Sequence, residues 1–395
     1  MLENTASRDF SIEHAICFEK QLQTTPAYLY GGEAENWPGE GDKIPAEANA
    51  EFQKGTEYYT DASMNGTQFN GNKRKTAELP TLASLNVKGY TQGIERLLLA
   101  SLGYASVAGP MQDSQNPEYY KHFFIVPPKG KNQRKYTTDE ATLAGSQYNI
   151  DDIINLYLCV SQKLGPYAQH ARNVAVKDLE MTCSAKNPLQ ITVSGPAERI
   201  DREDSKASTA NWSYGAAFDE WFQLSDFKCY IGLADGEVSS VSVTEFSAKA
   251  SHGLSDDNTP TGTSNDGLSR AEPLPSGKSS ITLDMTIYLH DKTVYEDWER
   301  DGGTLQCKLV ATRGSSKFAI LFPRLQITQT QLNFDGAGSI QLSMEASWPG
   351  SEAELDAMKA SFAEERGDVA WPEASVMGVL VVSKEGRNLM RGMEI

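Results

Sequence analysis

Ser280-Ile281-Thr282-Leu283-Asp284-Met285-Thr286-Ile287-Tyr288-Leu289 sets an apolar side chain at every second residue, with Thr, Asp or Tyr between. Successive side chains of a strand point to opposite faces. A period of two therefore predicts a β-strand with one dry side and one side facing water or a partner. Phe318 to Phe322, Leu325 to Phe334 and Ile340 to Met344 continue in the same style, with Asp335-Gly336-Ala337-Gly338 as the turn between the last two. Val238 to Ala250 predicts a further long strand, followed by a loop rich in Ser, Asp, Asn, Thr and Gly up to Ser276. Strands at this spacing predict a mainly β chain built of sandwich or barrel units.

Helix is sparse. Thr293-Val294-Tyr295-Glu296 has the Thr-x-x-Glu form of a capping box, and the segment stops at Gly302-Gly303. Ile94 to Leu102 reads as a second short helix, stopping at Gly103. A third is expected from Glu352 to Glu365, with Leu355, Met358 and Phe362 on one face and an acidic start suited to the positive end of the helix dipole.

These elements recur. An offset of 200 sets Ile94 on Val294, Leu98 on Trp298 and Gly103 on Gly303, and aligns Ala83, Leu85 and Val87 with Leu283, Met285 and Ile287. Leu189 to Gly195 then matches Ile340 to Ala346, and Asp178 to Met181 matches Gln331 to Phe334. The expected layout is a first β-sandwich domain over 1–205, with a long polar loop insertion at about 104–152 that carries the basic run Lys129 to Lys135. A second sandwich spans 206–350, each domain has one short flanking helix, and a C-terminal arm of helix and strand covers 351–395.

The chain's 395 residues hold 53 Asp and Glu against 36 Lys and Arg, a net charge of −17. That balance argues against a protein that grips nucleic acid by neutralising phosphates. Met1 to Asp9 opens without a basic start and an apolar block, so no signal peptide is expected. The greasiest runs, Leu97 to Ala100 and Val379 to Val382, are too short for a membrane span. The five cysteines form no C-x-x-C pair and read as buried reduced thiols.

No constellation for catalysis stands out. The five histidines are isolated, without H-E-x-x-H or G-x-S-x-G. Gly277-Lys278-Ser279 ends like a phosphate loop, but Glu272 replaces the first glycine and a strand follows, so convergent helix amides are missing. Asp256-Asp257-Asn258 and Asn265-Asp266 lack calcium-loop spacing. The chain is expected to be no enzyme and to carry no cofactor and no metal. Long strands leave borders that must be covered or paired, and neighbouring subunits can complete them by closing a ring.

The segment Ala15-Ile16-Cys17-Phe18-Glu19-Lys20-Gln21-Leu22-Gln23-Thr24-Thr25-Pro26-Ala27 resembles the opening strand of the tail tube proteins of long-tailed bacteriophages. Leu82 to Gly103 is similar to the family's strand running into its single flanking helix, as is Ser280 to Gly303 in the second half. Val241 to Ser247 and Ala319 to Pro323 resemble its domain-opening strand and its strand ending in proline. The resemblance covers about residues 13 to 348.

It implies a virion protein, assembled in the bacterial host cytoplasm, that self-assembles into stacked rings. The rings join other tail proteins and form a conduit that DNA crosses without specific binding. Two tube domains per chain imply three chains per ring with pseudo-sixfold symmetry; six chains are implied if one copy is an outer decoration. An acidic bore would repel phosphates, and Glu180, Asp284 and Asn333, on the polar side of expected inner strands, are the candidate lumen-facing residues. A second class of function is a sandwich binding module, an adhesin or decoration protein recognising carbohydrate. Trp212, Tyr214, Trp221 and Tyr230 would be its aromatic cluster.

Overall fold

The computed structural model describes residues 12–18, 43–46, 50–60, 73–102, 111–113, 116–126, 157–164, 167–201, 212–214, 218–233, 239–254, 278–288, 304–333, 338–348, 351–354, 356 and 375–385. The first half contributes β1 (Ile12–Phe18), β2 (Lys43–Ile44), β3 (Glu51–Thr60), β4 (Lys73–Lys88), α1 (Glu95–Ser101), β5 (Met111–Gln112) and β6 (Tyr120–Ile125). It continues with β7 (Leu158–Leu164), β8 (Tyr167–Val174), β9 (Asp178–Ser184), β10 (Gln190–Pro196) and β11 (Arg199–Asp201). The second half contributes β12 (Phe227–Leu233), β13 (Ser239–Val241), β14 (Val243–Ser251), β15 (Ser280–Tyr288), β16 (Thr304–Arg313), β17 (Ser316–Asn333) and β18 (Ser339–Ala346). β19 (Gly378–Ser383) follows. The fold is mainly β.

One sheet has the order β11-β8-β7-β1-β2. The other runs β13-β12-β16-β17-β18-β15-β14-β9-β10-β4-β3, with β19 on β17, β6 on β19 and β5 on β6. The deciding stretch forms β15, whose burial alternates strictly from Ile281 to Ile287. Its dry residues meet those of β14, β18, β9 and β10 in one core with Leu85, Leu179, Met181, Ile191, Val193, Ala248 and Leu342. Each fully buried Leu, Ile, Val or Met side chain there contributes roughly 1.5–3 kcal/mol.

The ladders of the two halves repeat. β1 pairs β2 and β7, β7 pairs β8, β9 pairs β10, β10 pairs β4, and β4 pairs β3. Likewise β12 pairs β13 and β16, β16 pairs β17, β17 pairs β18, β18 pairs β15, and β15 pairs β14. The single long β17 holds the place of β8 and β9 together.

Register corrects two expected alignments. Leu179 and Glu180 face Val193 and Thr192 as Ile327 and Gln329 face Met344 and Ser343, so Asp178 to Met181 does not fall on Gln331 to Phe334. Ile191 faces Val87 and Val193 faces Leu85, whereas Leu342 faces Met285 and Met344 faces Leu283. With Leu189 to Gly195 laid on Ile340 to Ala346, Leu85 and Val87 therefore fall on Leu283 and Met285, two residues from the 200-residue offset. A slip of two keeps every side chain on its face, so periodicity alone does not register it.

Two strand boundaries also differ from expectation. Val238 to Ala250 is broken at Ser242: β13 pairs β12, while β14 pairs β15 and β9. The break lets one chain segment serve two ladders. Conversely, Phe318 to Asn333 is one continuous strand through Pro323. The β16 register shifts between Leu305 and Cys307, leaving Pro323 at a bulge, where its missing N–H costs no ladder bond.

The expected loop insertion contains β6, whose Phe123, Phe124 and Ile125 are fully buried. Its partner is β19, which lies between β6 and β17. Sparse side-chain ties reinforce this layer: Ser375 Oγ donates to the Val126 carbonyl and Ser383 Oγ to Glu95 of α1. Helix α1 forms where expected, with Leu97, Leu98 and Leu99 buried. Residues 352–354 and 356 are helical. The expected helix at Thr293 to Gly302, most of Glu352 to Glu365 and the basic run Lys129 to Lys135 lie outside the described residues.

Candidate functional site: the polar face of an eight-strand row

Within the large sheet, β17-β18-β15-β14-β9-β10-β4-β3 form an uninterrupted antiparallel row. One face of the row packs on the core and the other is polar, as the alternation along each strand dictates. The seam between the halves is the β14–β9 ladder, which runs from Glu245↔Ser184 to Ser251↔Asp178.

Glu180 and Asp284 lie on the polar face on either side of β14, the strand that forms one border of that seam. Asp284 faces Ser247 of β14, and Ser247 faces Thr182 of β9; two rungs along, Lys249 faces Glu180. Glu180 Oε1 accepts from Ser247 Oγ at 3.0 Å and pairs Lys249 Nζ at 3.0 Å. Both partners of the ion pair are half in water, so solvent screens it. Asn333 ends β17 opposite Ser339, at the far end of the row from β9. The structure thus places two of the three candidates on one face around β14 and sets the third at the end of the row.

Ser247, Lys249 and Glu245 were missed as site residues, although the alternation of Val243 to Ala250 already places them on one side. Thr286 Oγ1 donates to Glu245 Oε1 at 3.0 Å. Among the described residues of this face, Glu51, Asp178, Glu180, Glu245, Asp284 and Glu345 stand against Lys88 and Lys249. The face carries an acidic excess. Lys88 Nζ also lies 4.7 Å from the centre of the Trp221 ring.

The aromatic cluster packs rather than projects. Tyr90 meets Phe218 edge-on at 5.2 Å and Trp221 at 6.3 Å, Tyr214 meets Phe218 at 5.5 Å, and Trp212 is buried. Only Tyr214 of the four candidates for sugar stacking is exposed. These rings fasten the segment before β12 to the end of β4.

A Ser–His contact of the kind that starts nucleophilic catalysis does occur: Ser161 Oγ lies 2.7 Å from His170 Nδ1, with Cys159 Sγ 3.5 Å from the same hydroxyl. Burial pushes the Cys159 thiol up, but hydrogen bonds from Cys17 and His170 and the Arg172 charge outweigh it and bring it down to about 5. All three residues are at most 1% exposed, so a substrate has no approach, and the contact serves the β7–β8 hairpin.

A buried carboxyl nearby gives a pH prediction. Burial pushes Glu198 above its ordinary range, against the hydrogen bond from Asn173. A carboxyl raised in the folded state favours folding below its unfolded pKa, and that contribution is lost as pH rises through the folded value. Glu198→Gln is therefore expected to raise Tm at pH 7.5, with the difference from the parent narrowing by pH 4 in parallel melting scans.

The arrangement defines a mainly β scaffold whose notable features are a polar sheet face and the strand borders at its two ends. A family model described as phage tail tube protein matches residues 15–348. The chain belongs to the phage tail tube protein family and is a structural component of the phage tail. No curated protein matches it. β19 lies beyond the matched residues.

Proposed function

We propose that the chain is the ring-forming subunit of a tail tube, a conduit for DNA during ejection. The observation that carries this is the eight-strand row, in which β17-β18-β15-β14 and β9-β10-β4-β3 present the same ladders in the same order and are already joined border to border. Each chain then supplies two tube domains, 1–205 and 206–350, and three chains make a ring with pseudo-sixfold symmetry. Rings stack with one another and with other tail proteins, with assembly in the bacterial host cytoplasm.

The acidic face containing Glu180 and Asp284 lines the bore. Carboxylates there repel phosphates, and the duplex passes without the counterion release that would hold it. Asn333 lies at the same wall near the junction with the next chain. The core-packed face, α1 and the β6–β19 layer stand outside it. Negative-stain microscopy of the purified chain tests the reading. Uniform rings or hollow tubes are expected; discrete monomers at all protein and salt concentrations would contradict it.

A further inference from the structure

We infer that the ring closes by pairing β3 of one chain with the second half of β17 of the next, antiparallel, with Phe52 opposite Ile327 and Glu51 opposite Gln329. This rests on the ring reading above and adds the partner surfaces and their register. The eight-strand row ends in β17 on one side and β3 on the other. Because its eight strands alternate in direction, β3 and the β17 of a rotated second copy meet antiparallel, in a heterologous contact that closes by rotation.

The intrachain seam supplies the register. Val193 faces Leu179 and Leu85, as Met344 faces Ile327 and Leu283, so Ile327 holds the place of Leu179. Glu180 faces Thr192 as Gln329 faces Ser343, so Gln329 holds the place of Glu180. One inward step from Leu85 and Leu283 lie Leu82 and Ile281; Leu82 faces Phe52 and Ile281 faces Ala250. Phe52 therefore stands for Ala250, and Glu51 for Lys249. In the seam, Ala250 faces Leu179 and Lys249 faces Glu180. Transferring those two rungs gives Phe52 opposite Ile327 and Glu51 opposite Gln329.

Burial marks the same borders. Leu179 and Cys183 of β9, covered by β14, are 1% and 2% exposed. On β17, the β16 ladder ends at Thr304↔Gln326, Ile327 is only partly buried, and Leu332 is 40% exposed. Ala250 is 1% exposed, whereas Phe52 is only partly buried. Ile327 and Leu332 at one end of the row and Phe52 at the other thus have less cover than their counterparts at the seam, and each end offers a border the other can pair with.

The test is disulfide trapping in the full chain carrying E51C and Q329C. Both positions face the polar side, and Glu51 and Gln329 belong to opposite ends of the row, so a bond between them joins two chains. The five native cysteines are buried, and each single variant serves as the background. Oxidised rings are expected to give a ladder of linked chains ending at three on a non-reducing gel. The off-register pair Q53C with Q329C is expected to give roughly tenfold less product, because a disulfide needs its two Cα atoms within about 7 Å. Rings that form but leave E51C/Q329C unlinked, or link Q53C/Q329C as well, overturn this pairing and leave the ring reading standing. Particles that stay monomeric by microscopy overturn the ring reading, and the pairing with it.

Discussion

Val381→Asp is expected to cost about 4 kcal/mol or more and to leave little folded protein at 37 °C. Val381 is fully buried in β19, facing Phe318 of β17 on one side and His122 of β6 on the other. A carboxylate there has no water and must either ionise unpaired or fold protonated. The main-core side chains on the same face, Phe124, Phe318, Ile320 and Val379, lose packing at the same time. Lys384→Ala, one residue beyond the strand at an exposed position, is expected to change stability by less than about 0.5 kcal/mol. Urea midpoints of the two variants compare the effects directly. Equal midpoints would show that β19 is a dispensable appendage rather than part of the core.

Gly195→Ala is expected to be nearly as damaging, although it adds one methyl group. A Cβ at Gly195 would lie 2.0 Å from the Ala175 carbonyl oxygen and 2.8 Å from the Lys177 nitrogen. Both are backbone atoms, which do not swing aside as a side-chain tip does. The segment linking β8 to β9 must retreat, and two hydrogen bonds go with it: Ala175 N–H to the Pro196 carbonyl at 3.0 Å and Lys177 N–H to the Ser194 carbonyl at 2.8 Å. Two lost backbone bonds with buried groups left unsatisfied cost roughly 2–4 kcal/mol. Gly314, at the tip of the β16–β17 hairpin, makes the opposite case: open space surrounds it, and its φ of +59° is what favours glycine there. A Gly195→Ala midpoint equal to that of the parent would show that the β8–β9 junction yields freely.

Much of this fold was legible in local chemistry. Alternation at Ile281 to Ile287 marked a strand half buried on a core, and the cluster from Ile94 to Leu102 marked α1. What stayed hidden depends on partners distant in sequence. β6 reads as part of a polar excursion because its dry face is completed by β19, whose residues stand more than 250 positions later. Pro323 looked like a strand end because the bulge that tolerates it is a property of the pair with β16. The split at Ser242 belongs to the topology, since nothing in Val238 to Ala250 announces two different neighbours.

The candidate site shows the same division. That Glu180 and Asp284 face away from the core follows from period two. That they lie on either side of β14, with Lys249 holding Glu180, follows only from the β14–β15 and β14–β9 registers. Asn333 shared the alternation of its neighbours, and its position at the end of the row came from pairing order. Sequence periodicity assigns a face; ladders assign a place along the wall.

The mass of the intact ring by native mass spectrometry bears most directly on the two-domain subunit. Three copies of the 43.3 kDa chain are predicted, each contributing both halves of its strand row to one closed wall. A ring of six copies would contradict this, for then only one half of each chain could belong to the bore.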